Sequence, residues 1–227
     1  LMINSKKYII LILLGSILIL IFSVLWTDKH YMIFSILIIF LSLVPFFLKF
    51  ERKELKAENT VLIAILASTA VLGRVPFAAI PSVQATSFVI IMTALSFGEE
   101  TGFMVGSLGA FASNMFMSQG PWTIWQMFCW GMMGVSAGIL RNTKFMKNII
   151  GQSIFGFIWG FLFGWIMNIW YVLYFGADSF SFQVFLMSCI TSFKVDLNHA
   201  ISNVVFILLF SKSWKKIFDR VKIKYDL

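Results

Sequence analysis

Long apolar runs separated by short polar segments set the pattern of this chain. A helix needs about 20 apolar residues to cross bilayer hydrocarbon. By that measure the pattern predicts roughly eight spans, at residues 8–25, 32–50, 60–72, 86–97, 101–117, 122–140, 149–174 and 182–210. The third and fourth are short, and they meet at a polar interruption. The one extended hydrophilic linker, residues 49–58, separates the first two spans from the rest. The expected organisation is therefore an N-terminal helix pair with its charged linker (1–59), a six-helix core (60–211) and a basic tail (212–227). No small-residue cleavage site follows the run 11–25, so it is expected to be a retained span rather than a signal peptide.

Two hinges interrupt the core. Residues 73–86 hold Arg74, Pro76, Pro81 and Gln84; residues 118–123 hold Gln119, Gly120, Pro121 and Trp122. Irregular backbone near membrane depth survives only where protein buries it or water reaches it. Two such hinges beside amide and aromatic side chains therefore point to a binding site between helices.

Composition decides the class: 59% of residues are hydrophobic and only 12% charged, against about a quarter charged in soluble domains. Mean hydropathy is +0.90. The chain reads as an all-α polytopic membrane protein. Its net charge of +8 belongs to loops and tail, as topology and anionic lipid require, and not to nucleic-acid binding. Lys6, Lys7, Lys49, Arg52, Lys53, Lys56, Arg141, Lys144, Lys147 and the tail all fall on one side if both termini are cytoplasmic. Both hinges then open outward, which suits capture of an external solute.

Polar groups inside a membrane are costly and are functional candidates by default. Asp196, His199 and Asn203 are spaced i, i+3, i+7 and share a helical face. From Asp196 to Ser211 is about 22 Å of helix, which places them level with the hinges. An Asp–His clip between helices and a ligand or ion contact weigh equally for this pair. Asn114, Gln126 and Asn168 lie within spans; with Gln84, Gln119, Trp122, Trp125, Trp130 and Tyr171 they outline a polar-aromatic cavity. Trp122 equally fits an interfacial belt. Gly102/Gly106, Gly134/Gly138 and Gly156/Gly160/Gly164 allow close helix contact, read mainly as internal packing. The small stripe of Ala64, Ala67 and Ser68 leaves room for lateral docking of another membrane protein.

Enzymatic readings have little support. HExxH, Walker A and metal-ligand spacing are all missing, and Cys129 and Cys189 read as small core residues. Catalysis by Asp196 and His199 stands as the alternative from a different class, and an assembly factor as a third.

The hinge 73–86, Phe97-Gly98, Gly102-Phe103, Asn114, the segment 119–123, Trp125-Gln126-Met127, Trp130-Gly131 and Asp196-Leu197-Asn198-His199-Ala200 resemble the substrate-binding S components of energy-coupling factor (ECF) vitamin transporters. The resemblance is strongest to the cobalamin branch and covers about residues 60–211. It implies a six-helix S component that takes a vitamin from outside, with no covalently bound cofactor and no metal. A membrane coupling subunit and two cytoplasmic ATPases would supply the energy. It implies that Ala64, Ala67 and Ser68 dock the coupling subunit, Ser68 departing from a plain alanine pair. Arg74, Phe77 and Gln84 are expected in the loop that closes over the ligand. The two spans before residue 59 exceed the family pattern. Cobalamin, with amide side chains around an apolar ring, suits such a lining; a flavin or thiamine suits it as well.

Overall fold

The computed structural model describes residues 57–175 and 181–226, with Leu37, Phe40, Leu43, Val44 and Phe47 besides. The expected span 8–25, most of 32–50 and most of the linker lie outside the described residues. Of the second span, Leu43 is buried and Phe47 meets Phe103 edge-on at 6.0 Å between ring centroids.

Among the described residues are seven helices: α1 (Ala57–Leu72), α2 (Thr86–Phe97), α3 (Glu99–Met117), α4 (Trp122–Leu140), the single turn α5 (Lys144–Lys147), α6 (Ile149–Phe175) and α7 (Phe182–Tyr225). Four segments are long and apolar enough to cross a membrane: Ala57–Phe77, Trp122–Leu140, Ile149–Phe175 and Phe182–Tyr225. These belong to a multi-pass membrane protein. Helix α2 is shorter than a crossing requires. Nine of its twelve residues, Thr86 to Ala94, are buried, because it packs against α1, α3, α4 and α7 together. A helix enclosed by protein is apolar on every side and need not match the bilayer.

Two close-packed hairpins flank α2. In α3/α4 the glycines face each other: a Cβ on Gly134 would lie 2.3 Å from the Gly102 carbonyl carbon, and one on Gly106 would lie 2.4 Å from the Trp130 carbonyl oxygen. In α6/α7, Gly160 lies against the Ala200 backbone and Gly164 against the Asp196 carboxylate. Both glycine sets are thus consumed by internal contacts, the small-residue packing that lipid-embedded helices favour.

Helix α1 stops because Pro76 cannot continue it; the chain makes a short 3-10 turn at Val75–Phe77 instead. The excursion 74–84 closes at its base, where Ala85 N–H donates to Gly73 O at 2.7 Å. A Cβ on Gly73 would meet the Ala85 and Thr86 backbone at 3.2 Å, so glycine permits this closure. Gly98, at φ +99°, turns the chain between α2 and α3, and Glu99 and Glu100 then favour the positive end of α3.

Helix α7 continues through the basic segment 212–227, which the sequence had set apart as a tail, as far as Tyr225. Its 44 residues span about 66 Å, twice the hydrocarbon thickness of about 30 Å. Apolar residues spaced four apart hold this extension to the core. Trp214 lies edge-on to Phe88 at 5.0 Å, and Phe218 to Phe97 at 5.1 Å.

Candidate functional site

Arg74, at the base of the first hinge, turns inward and is only 8% exposed. Its Nη1 donates to Ser113 Oγ at 2.5 Å and to Asn114 Oδ1 at 2.7 Å, and Nη2 reaches Gln126 Oε1 at 3.4 Å. The guanidinium carbon stands 4.8 Å from the centre of the Trp130 ring, within cation–π range. Every one of these partners is neutral. Burying a cation without a carboxylate is expensive, so the arrangement calls for a reason beyond packing.

A hydrogen-bonded chain runs from this cation to the second hinge. Asn114 Nδ2 donates to Gln126 Oε1 at 2.8 Å and to Thr123 Oγ1 at 2.9 Å. Thr123 donates onward to Gln119 Oε1 at 2.9 Å, and Gln119 Nε2 to Phe111 O at 2.9 Å. Gln119 is exposed, whereas Asn114 is 1% exposed, so the chain leads from the surface to the buried charge. Trp122 is half-buried, with its ring over Gly120 and edge-on to Trp170 at 5.9 Å.

Beyond Trp130 the network reaches α7. Trp130 Nε1 donates to Ser87 Oγ at 3.1 Å, and Ser87 Oγ lies 2.7 Å from His199 Nε2. Indole only donates, so Ser87 accepts from Trp130, and the tautomer of His199 sets the direction of the second bond. Phe163 stands edge-on to His199 at 5.1 Å and contacts Trp130 at 4.7 Å. The hinge itself is held to α7. Ser202 Oγ accepts from Gln84 N–H at 3.0 Å and donates to Gln84 O at 3.1 Å, while Asn198 Nδ2 donates to Pro81 O at 3.3 Å. Phe77 packs edge-on to Phe206 at 5.8 Å.

The structure therefore gathers Arg74, Asn114, Gln119, Gln126, Trp130 and His199 in one network, with Gln84 on the adjoining loop tie. Asp196 belongs to another. It shares a face with His199 but not a hydrogen bond: Ser192 Oγ donates to Asp196 Oδ2 at 2.9 Å, and Asn168 Nδ2 donates to Ser192 Oγ at 2.9 Å. The Asp–His clip weighed from the sequence is replaced by these α6–α7 contacts, because the Asp196 carboxylate turns toward Gly164. Ser87 and His199 form a hydroxyl–imidazole pair without that carboxylate, and Ser87 is fully buried, out of reach of a substrate.

Trp125 is buried with its Nε1 lacking a partner among the described residues. Tyr171 is exposed and meets Phe175, apart from the network. Of the docking stripe, Ala64 and Ser68 are exposed alongside Val61, Ile65 and Leu72, whereas Ala67 is buried with its carbonyl facing Gly109 of α3. Among the described residues no cluster of three His, Cys, Asp or Glu side chains is placed to hold a metal.

Three hydroxyl residues of the site do not stand out in the sequence: Ser87, Ser113 and Ser192. Such residues in membrane helices commonly bond their own backbone, as Thr93 does here to Val89 O. Nothing in sequence separates the two uses.

Comparison with curated proteins and comparison with solved structures return no match. The family model for the substrate-specific component of ECF transporters matches residues 58–220, a stretch that takes in α1 to α6, nearly all of α7 and the whole Arg74 network. The chain belongs to the family of ECF transporter substrate-specific components.

Proposed function

We propose that this protein captures a vitamin from outside the cell at the Arg74 network and delivers it inward when docked to a coupling subunit and two ATPases. Cobalamin is the leading candidate ligand. The family consists of membrane substrate-binding subunits, not enzymes, that work with an ECF module of a transmembrane subunit and ATPases. The observation that carries the ligand reading is Arg74: a buried guanidinium held, among the described residues, by neutral acceptors. Those acceptors can release it to a ligand oxygen without stranding a carboxylate. Charge-assisted bonds to an oxyanion are stronger than the neutral ones exchanged.

The same feature narrows the ligand class. It favours molecules offering carbonyl or phosphate oxygens, as cobalamin does through its amides and phosphodiester. It disfavours the cationic ring of thiamine by like-charge repulsion. A carboxylate-bearing vitamin such as pantothenate is the second reading, and Arg74 favours it on the same ground; riboflavin offers ring carbonyls and ribityl hydroxyls but no anionic oxygen.

Calorimetric titration of the purified chain with cobalamin, pantothenate, riboflavin and thiamine separates these readings. Tight one-to-one binding of cobalamin, weakened by Gln84→Ala or Gln119→Ala, is the expected result. Tight binding of pantothenate instead would keep the Arg74 assignment and replace the ligand. Thiamine as the sole ligand would overturn the role given to Arg74.

A further inference from the structure

At the end of α4 opposite the 118–121 turn, the fold gathers charge of one sign. A cavity of about 680 Å³ is lined by Arg141 from the end of α4, Lys144 and Lys147 from α5, and Lys212, Lys215 and Lys222 from α7, with Asp219 the single carboxylate among the described residues. The two groups of cations lie far apart in sequence and meet only because α7 continues past its apolar part. The lining is also selective. Lys212, Lys215 and Lys222 share one face of α7, whereas Lys216, Arg220 and Lys224 of the same helix do not line the cavity. A diffuse basic coat would not discriminate in this way.

Several features define what fits. Six like charges around one space repel each other at close range, and an anion relieves that repulsion. Met92, Leu95 and Ile149 form an apolar wall beside the cations, which matches a ligand with a charged head and an apolar neck. Gln152 also lines the cavity; its amide donates to Met146 O at 2.9 Å, and its Oε1 is buried with no partner among the described residues. That oxygen accepts only from a donor such as a hydroxyl. Basic pockets between membrane helices on the cytoplasmic side are suited to anionic headgroups, and the positive-inside rule assigns this end to that side.

We propose that this cavity is a binding site for the phosphate of an anionic glycerophospholipid headgroup, with the Gln152 carbonyl receiving a headgroup hydroxyl. The site lies at the other end of the bundle from the Arg74 network and does not depend on the identity of the vitamin.

The test titrates the purified full chain, in a neutral detergent, with short-chain phosphatidylglycerol and follows the thermal unfolding midpoint. Short-chain phosphatidylcholine and inorganic phosphate serve as parallel arms. A saturable rise with phosphatidylglycerol alone is expected. The triple substitution Lys144→Gln, Lys147→Gln and Lys215→Gln should raise the half-saturating concentration about 100-fold, at about 1 kcal/mol per cation. The triple Lys→Arg variant at the same positions should restore it, and Lys216→Gln with Lys224→Gln should leave it unchanged. An equal rise with inorganic phosphate would overturn the lipid assignment in favour of a free anion. An equal rise with phosphatidylcholine, no saturable rise, or equal weakening by the Lys216/Lys224 pair would overturn the site.

Discussion

Replacing Arg74 with methionine separates a ligand-binding cation from a structural one. In the ligand-free state two energetic terms oppose each other. The substitution removes the donors to Ser113 Oγ and Asn114 Oδ1, and a buried acceptor left without a donor costs about 1–3 kcal/mol. It also removes a desolvated charge with no carboxylate partner among the described residues, whose burial costs several kcal/mol. Methionine fills most of the vacated length beside Trp130. The terms nearly cancel, so the unfolding midpoint of Arg74→Met should stay close to that of the native chain. Ligand affinity has no such cancellation. Losing a charge-assisted bond to a ligand oxygen costs about 1.5–3 kcal/mol, or about 10- to 150-fold in affinity. Arg74→Lys, which keeps the charge without the planar fork, should recover part of it. Calorimetric titration and thermal unfolding of both variants in one detergent supply the two numbers. Native affinity combined with a markedly lowered midpoint would make Arg74 a structural tie and not a ligand contact.

Three further outcomes follow from other parts of the fold. Gly134→Val places its Cβ against the Gly102 backbone, where nothing flexible can yield; thermal unfolding should show a loss at or above the upper end of the ~1–3 kcal/mol typical of overpacking, and a native midpoint would contradict the packing described. Ser202→Ala unpairs both backbone groups of Gln84, at about 1–3 kcal/mol. Amide exchange at Gln84 should accelerate while the α3/α4 hairpin stays protected, and unchanged exchange there would dismiss the tie. Ser68→Trp, on the exposed face of α1, should spare vitamin binding but abolish co-purification with the coupling subunit; a retained complex would move the docking surface elsewhere.

Much of the architecture is readable from the sequence because the bilayer imposes strong rules. The single polar turn α5 has no apolar run to predict it; for the other six described helices, run length set the ends to within three residues at every boundary but one. The exception, the end of α7, shows the limit: Lys212, Lys215 and Lys216 read as a solvated tail, whereas Trp214 and Phe218, four residues apart, carry the helix on against Phe88 and Phe97. At the site, costly intramembrane groups stand out individually, so Arg74, Asn114, Gln126 and His199 were visible as candidates. Their grouping was not. Asp196 and His199 share a helical face, yet Asp196 turns toward Gly164 and Ser192 while His199 turns toward Ser87. Facial periodicity gives the side of a helix, whereas partner choice depends on which neighbouring helix supplies the smaller residue. Ala67 illustrates the same point on α1: it lies one residue from Ser68, but it faces Gly109 rather than the exposed stripe.

The most direct measurement of whether the buried Arg74 anchors the ligand is a structure of the chain with its vitamin bound. A ligand oxygen is expected within about 3 Å of the Arg74 guanidinium, with the bond to Asn114 lengthened or lost. A ligand seated away from the first hinge, with Arg74 still on Ser113 and Asn114, would contradict it.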